Sequence, residues 1–306
     1  MVNKLKTVAV IASLSFAGLS LACTVDGTKG FVPENDLFIS VNNKSATGLS
    51  ETQFNAVIDK VVNVYNPIIS NTGAKLSVDR NWSDGTVNAY ASQTGKNWKV
   101  AMFGGLARHS TITEDGFALV VCHEIGHHIG GAPKKGGSPA GGGWWGGQSG
   151  TSVSSWATNE GQADYFATLK CLRKVFLNDD NSRVISTMTI PSKLSSECSA
   201  ATKGDKEDTA LCVRTSMAGM SVSNLFAVLG KLGDPKFETP DSKVTSSTDD
   251  NHPKAQCRLD TYFQGSLCDV GMNEDVSATD EVKGTCHPSL GHSMGTRPLC
   301  WFKPKK

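Results

Sequence analysis

Neither sign of charge prevails in this sequence: 30 lysines and arginines face 29 aspartates and glutamates, for a formal net charge of +1. Without a basic excess there is no electrostatic ground for binding nucleic acid or an anionic membrane surface. Lys303, Lys305 and Lys306 read as a solvated tail. No C-x-x-C pair occurs among the nine cysteines, which argues against a cysteine zinc ribbon. Past the first two dozen residues no apolar run approaches the roughly 20 residues that a spanning helix needs. The glycine-rich stretch 132–155 lacks both a Gly-Lys-Ser or Gly-Lys-Thr ending and a strand-to-helix setting, so it is not a phosphate-binding loop.

What is present suits an exported globular protein. A length of 306 residues allows one large or two modest domains, and the 39% of apolar residues can fill a sizeable core. Residues 1–22 read as an export signal, with Lys4 and Lys6 ahead of an apolar, small-residue run over 8–22. Leu19-Ser20-Leu21-Ala22-Cys23 resembles a bacterial lipobox, which makes Cys23 a lipidation candidate; cleavage after Ala22 and free secretion is the alternative. The expected location is the periplasm or cell envelope, with the membrane reached only through an anchor at Cys23. Setting Cys23 aside leaves eight cysteines, an even number suited to disulfides in an oxidising compartment. Sequence alone allows 105 connectivities, and the local expectations are Cys198 with Cys212 and some pairing among Cys268, Cys286 and Cys300.

Residues 23–48 read as a tether or an edge segment. Ser50 and Gln53 form a capping box, and Phe54, Val57, Ile58, Val61, Val64 and Tyr65 recur at helical spacing, which predicts a core helix over 51–66 that stops before Pro67. Three β-like runs follow at 75–78, 87–91 and 98–103, with turn signals between them, and predict a small antiparallel sheet. The edge of the last run is expected to face an extended peptide. A helix is expected from Thr113 to Gly130-Gly131, and a mostly helical second half gives an α+β fold class. The stretch 132–155, with Lys134-Lys135 and Trp144-Trp145, is either a surface insertion or a lid beside a cleft.

The chemistry sits in Val121-Cys122-His123-Glu124-Ile125-Gly126-His127, a HExxH motif on the second predicted helix. Residues four apart share a helix face, so His123 and His127 can offer two imidazoles to one ion, with Glu124 placed to take a proton from water. A catalytic zinc site needs a third protein ligand. Glu160 supplies it in the following helix, predicted over 156–169, and Asp164, four residues on, can hold the outer nitrogen of a ligand histidine. His109, His128 and His292 have no motif support.

HExxH followed by Glu160-Gly161-Gln162-Ala163-Asp164 resembles the gluzincin metallopeptidases related to HtpX and the CaaX prenyl protease. A third motif, His252-Pro253 with Arg258-Leu259, is similar to theirs in spacing, whereas His287-Pro288 lacks the arginine. The resemblance spans about residues 49–265 and implies one Zn2+ ion, a peptidase domain, protein or peptide substrates, and a setting such as protein quality control. It further implies that His252 lines the site and steadies the tetrahedral intermediate, with Arg258 ordering the region. Residues 266–306 fall outside it as a cysteine-containing extension. The rival expectation is an envelope lipoprotein that acts through partners, either non-catalytic or a latent enzyme held inactive by the Gly-rich loop or the cysteine-rich tail until a partner or a redox change near Cys122 frees the cleft.

Overall fold

The computed structural model describes residues 30–43, 46–136 and 155–304; the expected export signal at 1–22, Cys23 and the Trp144-Trp145 pair lie outside the described residues. Helix α1 (Glu51–Ser70) starts at the predicted capping box, with Ser50 and Gln53 each bonding the other's backbone N–H. Phe54, Val57, Ile58, Val61 and Tyr65 form its buried stripe. The helix overruns its predicted end and carries Pro67 within its last turn. A proline there costs one backbone bond, but the extra turn puts Ile69 fully into the core, which offsets the loss.

Strands β1 (Lys75–Asn81), β2 (Ala89–Thr94) and β3 (Asn97–Phe103) form one sheet in the order β1-β3-β2. β2 and β3 are an antiparallel hairpin turned at Gly95, which takes a positive φ of 58°. β1, however, runs parallel to β3, so the sheet is mixed and not antiparallel as expected. The reason lies in Ser83-Asp84-Gly85. Instead of reversing the chain, this segment crosses over, with Asp84 accepting the Thr86 N–H and Gly85 pressed so closely on Gly105 that a Cβ there would stand 1.9 Å from the Gly85 carbonyl oxygen. With β3 central, the last run has no free edge. The open edge near the site belongs to β2.

Short helix α2 (Gly104–Arg108) leads to α3 (Glu114–Ile129), capped by Thr113, whose hydroxyl accepts the Gly116 N–H. Every residue of α3 from Gly116 to His128 is buried, so this helix runs through the centre of the molecule. Helix α4 (Glu160–Phe166) continues through a π-helical stretch (Ala167–Cys171) into α5 (Leu172–Val175). It begins four residues later than predicted because Trp156 to Thr158 run extended against the chain at 134–135, where Lys135 N–H bonds Ala157 O. Asn159 then caps it by accepting the Gln162 N–H. Helices α6 (Asn181–Ile185) and α7 (Ser192–Ala201) flank the long α8 (Lys206–Gly230), against which α9 (Ala255–Leu267) packs. The fold class is α+β.

Four disulfides join Cys122 to Cys171, Cys198 to Cys212, Cys257 to Cys300, and Cys268 to Cys286. They point to an oxidising, exported environment. No helix among the described residues is long and apolar enough to cross a membrane. The Cys257–Cys300 bridge ties residues 266–304 to α9, and the Cys268–Cys286 bridge closes a loop within them. Trp301 is buried against Gly161 at the start of α4, its indole N–H donating to Thr261 at 2.9 Å, and Tyr165 of α4 donates to the Gly295 carbonyl at 2.5 Å.

The Cys122–Cys171 bridge closes a loop of 49 residues between α3 and the π-helical stretch. The double variant Cys122→Ala/Cys171→Ala should lose about 2–4 kcal/mol of stability in urea unfolding. An unchanged midpoint and slope would show that packing alone joins these helices.

Candidate metal centre

The last two turns of α3 present His123 and His127 on one face, and the first residue of α4 brings Glu160 against them. One ligand atom from each of the three lies within 4.8 Å of the others, and all three side chains are buried. The outer nitrogens are committed. His123 Nδ1 faces Asp164 Oδ1 at 2.7 Å and His127 Nδ1 faces the Thr158 carbonyl at 2.8 Å. A carboxylate and a carbonyl can only accept, so both Nδ1 atoms carry a proton, and once His123 gives up its second proton both Nε2 atoms present a lone pair inward.

Those lone pairs point toward a carboxylate. Glu160 Oε2 lies 3.2 Å from His123 Nε2 and Oε1 lies 3.7 Å from His127 Nε2. His123 Nε2 and Glu160 Oε2 nevertheless lack the alignment of a hydrogen bond, and both are buried without a partner. Lys135 Nζ reaches Oε1 at 2.6 Å, so it covers one carboxylate oxygen and leaves the other. Two lone pairs and a carboxylate oxygen converging without donors is an arrangement a cation resolves. The group could hold a metal ion. Two further groups, Asp241 with Cys257 and Cys300, and Asp269 with Cys268 and Cys286, have their sulfurs in disulfides and so offer no thiolate.

Asp164 Oδ1 takes three donors: His123 Nδ1, Arg258 Nη2 at 2.6 Å and the Tyr262 hydroxyl at 2.7 Å. Burial alone would raise the Asp164 pKa, but Arg258 and His123 outweigh it and hold the carboxyl below its ordinary range. Burial likewise disfavours a charged His123, yet Asp164 and Glu160 push its pKa up to about 9. His127 is driven well down by burial. Glu160, despite burial, is kept well below its ordinary pKa by His252, His127 and Lys135. Glu124 stands apart. Buried, with neither oxygen hydrogen-bonded, it is pushed by desolvation up to about 7.

His252 Nε2 lies 3.3 Å from Glu160 Oε2 and 2.8 Å from the Gly30 carbonyl, so the structure brings it to the group, and Arg258 with it. The three unmotivated histidines lie elsewhere. His128 is stacked between Trp98 and Trp156 at 4.9 and 4.8 Å, His109 bonds Thr111, and His292 approaches Asp269 at 3.4 Å. Cys23 lies outside the described residues. Sequence reasoning missed Lys135, Tyr262 and Asn88, whose side-chain amide bonds the backbone of Val32 close to this group. Tyr262 had a signal, since it stands one helical turn beyond Arg258 on α9; Lys135 and Asn88 had none.

No family model matches this chain, and no curated protein or solved structure matches it.

In the metal-free chain His123 keeps its second proton to about pH 9, so a bound ion must displace it. Affinity for a divalent metal should therefore rise about tenfold per pH unit below that value, with one proton released per ion in calorimetry. A pH-independent affinity would remove His123 from the ligand set. Glu160→Ala should abolish metal uptake, and Asp164→Asn should weaken it by roughly 10- to 100-fold in chelator competition.

Proposed function

We propose that this chain is a zinc metallopeptidase of the gluzincin type, related to HtpX and the CaaX prenyl protease, that hydrolyses peptide bonds in exported proteins. The observation that carries the proposal is Glu124: a buried carboxylate with no hydrogen-bond partner, next in sequence to His123 and beside a two-histidine, one-glutamate group. A purely structural metal site has no use for an unpartnered carboxylate there, because it adds a desolvation cost and holds nothing. Two imidazoles and a carboxylate are a donor set that zinc accepts. Held by His123, His127 and Glu160, zinc would supply a Lewis acid and lower the pKa of water.

The chain's own side chains do the rest. Glu124, with a pKa near neutrality, takes a proton from the attacking water and returns it to the leaving amine. His252 offers its Nε2–H to the carbonyl oxygen of the bond being cut, as it now does to Gly30. Arg258 holds Asp164 charged, and Asp164 keeps His123 in the tautomer that turns Nε2 inward. Export, with tethering through Cys23, belongs to the same proposal. The rival is a non-catalytic envelope protein that keeps the ion to hold its fold.

Glu124→Gln should retain one zinc ion and lose turnover of an unfolded protein substrate by about 10²- to 10⁴-fold. Metal content and hydrolysis measured side by side decide the matter. Equal turnover in both samples removes Glu124 as the base, and one ion with no turnover in either favours the non-catalytic rival. His252→Ala should lower kcat by about 10²-fold with zinc retained; an unchanged rate would take His252 out of the mechanism.

A further inference from the structure

The start of the described chain lies across the site, bending at Phe31 and Val32 after Gly30 in the left-handed region. Phe31 N–H donates to the Ala89 carbonyl on the open edge of β2 at 2.8 Å. Val32 is gripped from both sides by Asn88, whose Oδ1 accepts the Val32 N–H at 3.1 Å and whose Nδ2 donates to the Val32 carbonyl at 3.3 Å. Arg258 Nη1 donates to the Phe31 carbonyl at 3.2 Å, and His252 donates to the Gly30 carbonyl at 2.8 Å. The Phe31 ring is fully buried, edge-on to His123 at 4.8 Å and to Phe226 at 5.5 Å.

A strand that merely completed a core would satisfy its backbone on the sheet. Here two carbonyls in succession are bonded by side chains that surround the metal-holding group. The same His252 nitrogen that holds the Gly30 carbonyl stands 3.3 Å from Glu160, so the carbonyl drawn toward that group belongs to the Gly30–Phe31 bond. The fit at Gly30 is selective. Its φ is 79°, and a Cβ would come within 2.6 Å of Tyr90 and 2.8 Å of Asn88, so no other residue fits.

Resting on the peptidase reading, we propose that this cleft is a peptide-binding site filled by the chain's own segment, and that Gly30–Phe31 is a bond the protein cuts on itself. The substrate class follows from the same contacts: a glycine before the cut bond and a large apolar residue after it. In the step, a water oxygen bonds to the Gly30 carbonyl carbon and the bond from that carbon to the Phe31 nitrogen breaks. One water proton passes by way of Glu124 to the Phe31 nitrogen, and the second leaves the new Gly30 carboxyl for the same nitrogen, so the products are a Gly30 carboxylate and a Phe31 ammonium. The cut separates everything through Gly30, Cys23 included, from a chain that begins at Phe31, so a protein tethered at Cys23 would be released by it.

The test follows the zinc-loaded full chain by intact mass and N-terminal sequencing, beside zinc-loaded Glu124→Gln and with an unfolded protein as separate substrate. Wild type should convert to a chain beginning at Phe31, at a rate independent of protein concentration, while Glu124→Gln stays uncut at that bond. In uncut Glu124→Gln the Phe31 and Val32 amides should exchange hydrogen at least about tenfold more slowly than in a free peptide. Phe31→Asp should block the cut yet leave hydrolysis of the separate substrate, whereas Phe31→Leu should keep both; if Phe31→Asp fails to take up zinc, Gly30→Val replaces it. Wild type that digests the unfolded substrate but keeps an intact Gly30–Phe31 bond overturns the inference and spares the peptidase reading. So do unprotected Phe31 and Val32 amides, or a cut whose rate scales with concentration. No hydrolysis of either substrate defeats both.

Discussion

The site hangs on one carboxylate oxygen. Asp164 Oδ1 receives His123 from α3 and Arg258 and Tyr262 from α9, while Asp164 itself stands on α4, and all four side chains are buried. A buried carboxylate is tolerable only when paired and hydrogen-bonded, and the same holds for the buried guanidinium. Arg258 meets the condition through Asp164, the Phe31 carbonyl and the faces of Phe226 and Phe31 at 3.9 and 4.7 Å. Removing either partner strands a charge in the core, so the helices that carry the metal-holding group are bound by a condition each imposes on the others. The orientation of His123 is a by-product of that condition.

Covalent bridges reinforce the same elements. Cys122 immediately precedes His123 and is joined to the continuation of α4, and Cys257 immediately precedes Arg258 and is joined to the C-terminal segment. That second bridge places Trp301 under Gly161, where a side chain of any size would collide with the indole. The close approach leaves Glu160 and Asp164 on a helix start that cannot slide. Positions set by packing and cross-links need no reorganisation when charge develops, which is what a site built for chemistry requires.

The helical parts of this arrangement were legible in the sequence because helix geometry is local. His123 and His127, Glu160 and Asp164, and the stripe from Phe54 to Tyr65 are each related by one helical turn, so their sidedness could be read without knowing the fold. Strand direction could not. Alternation marks β1 as a strand, but whether it runs with or against β3 depends on the path of Ser83-Asp84-Gly85, which was read as a reversing turn and is a crossover. Lys135 and Asn88 act through contacts to residues distant in sequence, and no spacing announces such contacts. Residues 30–32 show the same gap: the stretch 23–48 reads as a tether or an edge segment, and the partners of Phe31 and Val32 lie far away in sequence.

Protonation offers a competing account of the buried cluster, and its shortfall is instructive. A proton on His123 Nε2 would ease the contact with Glu160, and Asp164 first and Glu160 second outweigh burial to raise that pKa in the metal-free chain. It would do nothing for His127, whose Nδ1 is already a donor to Thr158 and whose pKa is driven down, so its inward lone pair would still lack a donor. Lys135 donates to Glu160 Oε1, and Glu160 Oε2 is still without a hydrogen-bond partner. A divalent cation answers all three inward groups with a single charge centre. Glu124 is then left over, a buried carboxylate without a hydrogen-bond partner whose raised pKa comes from desolvation.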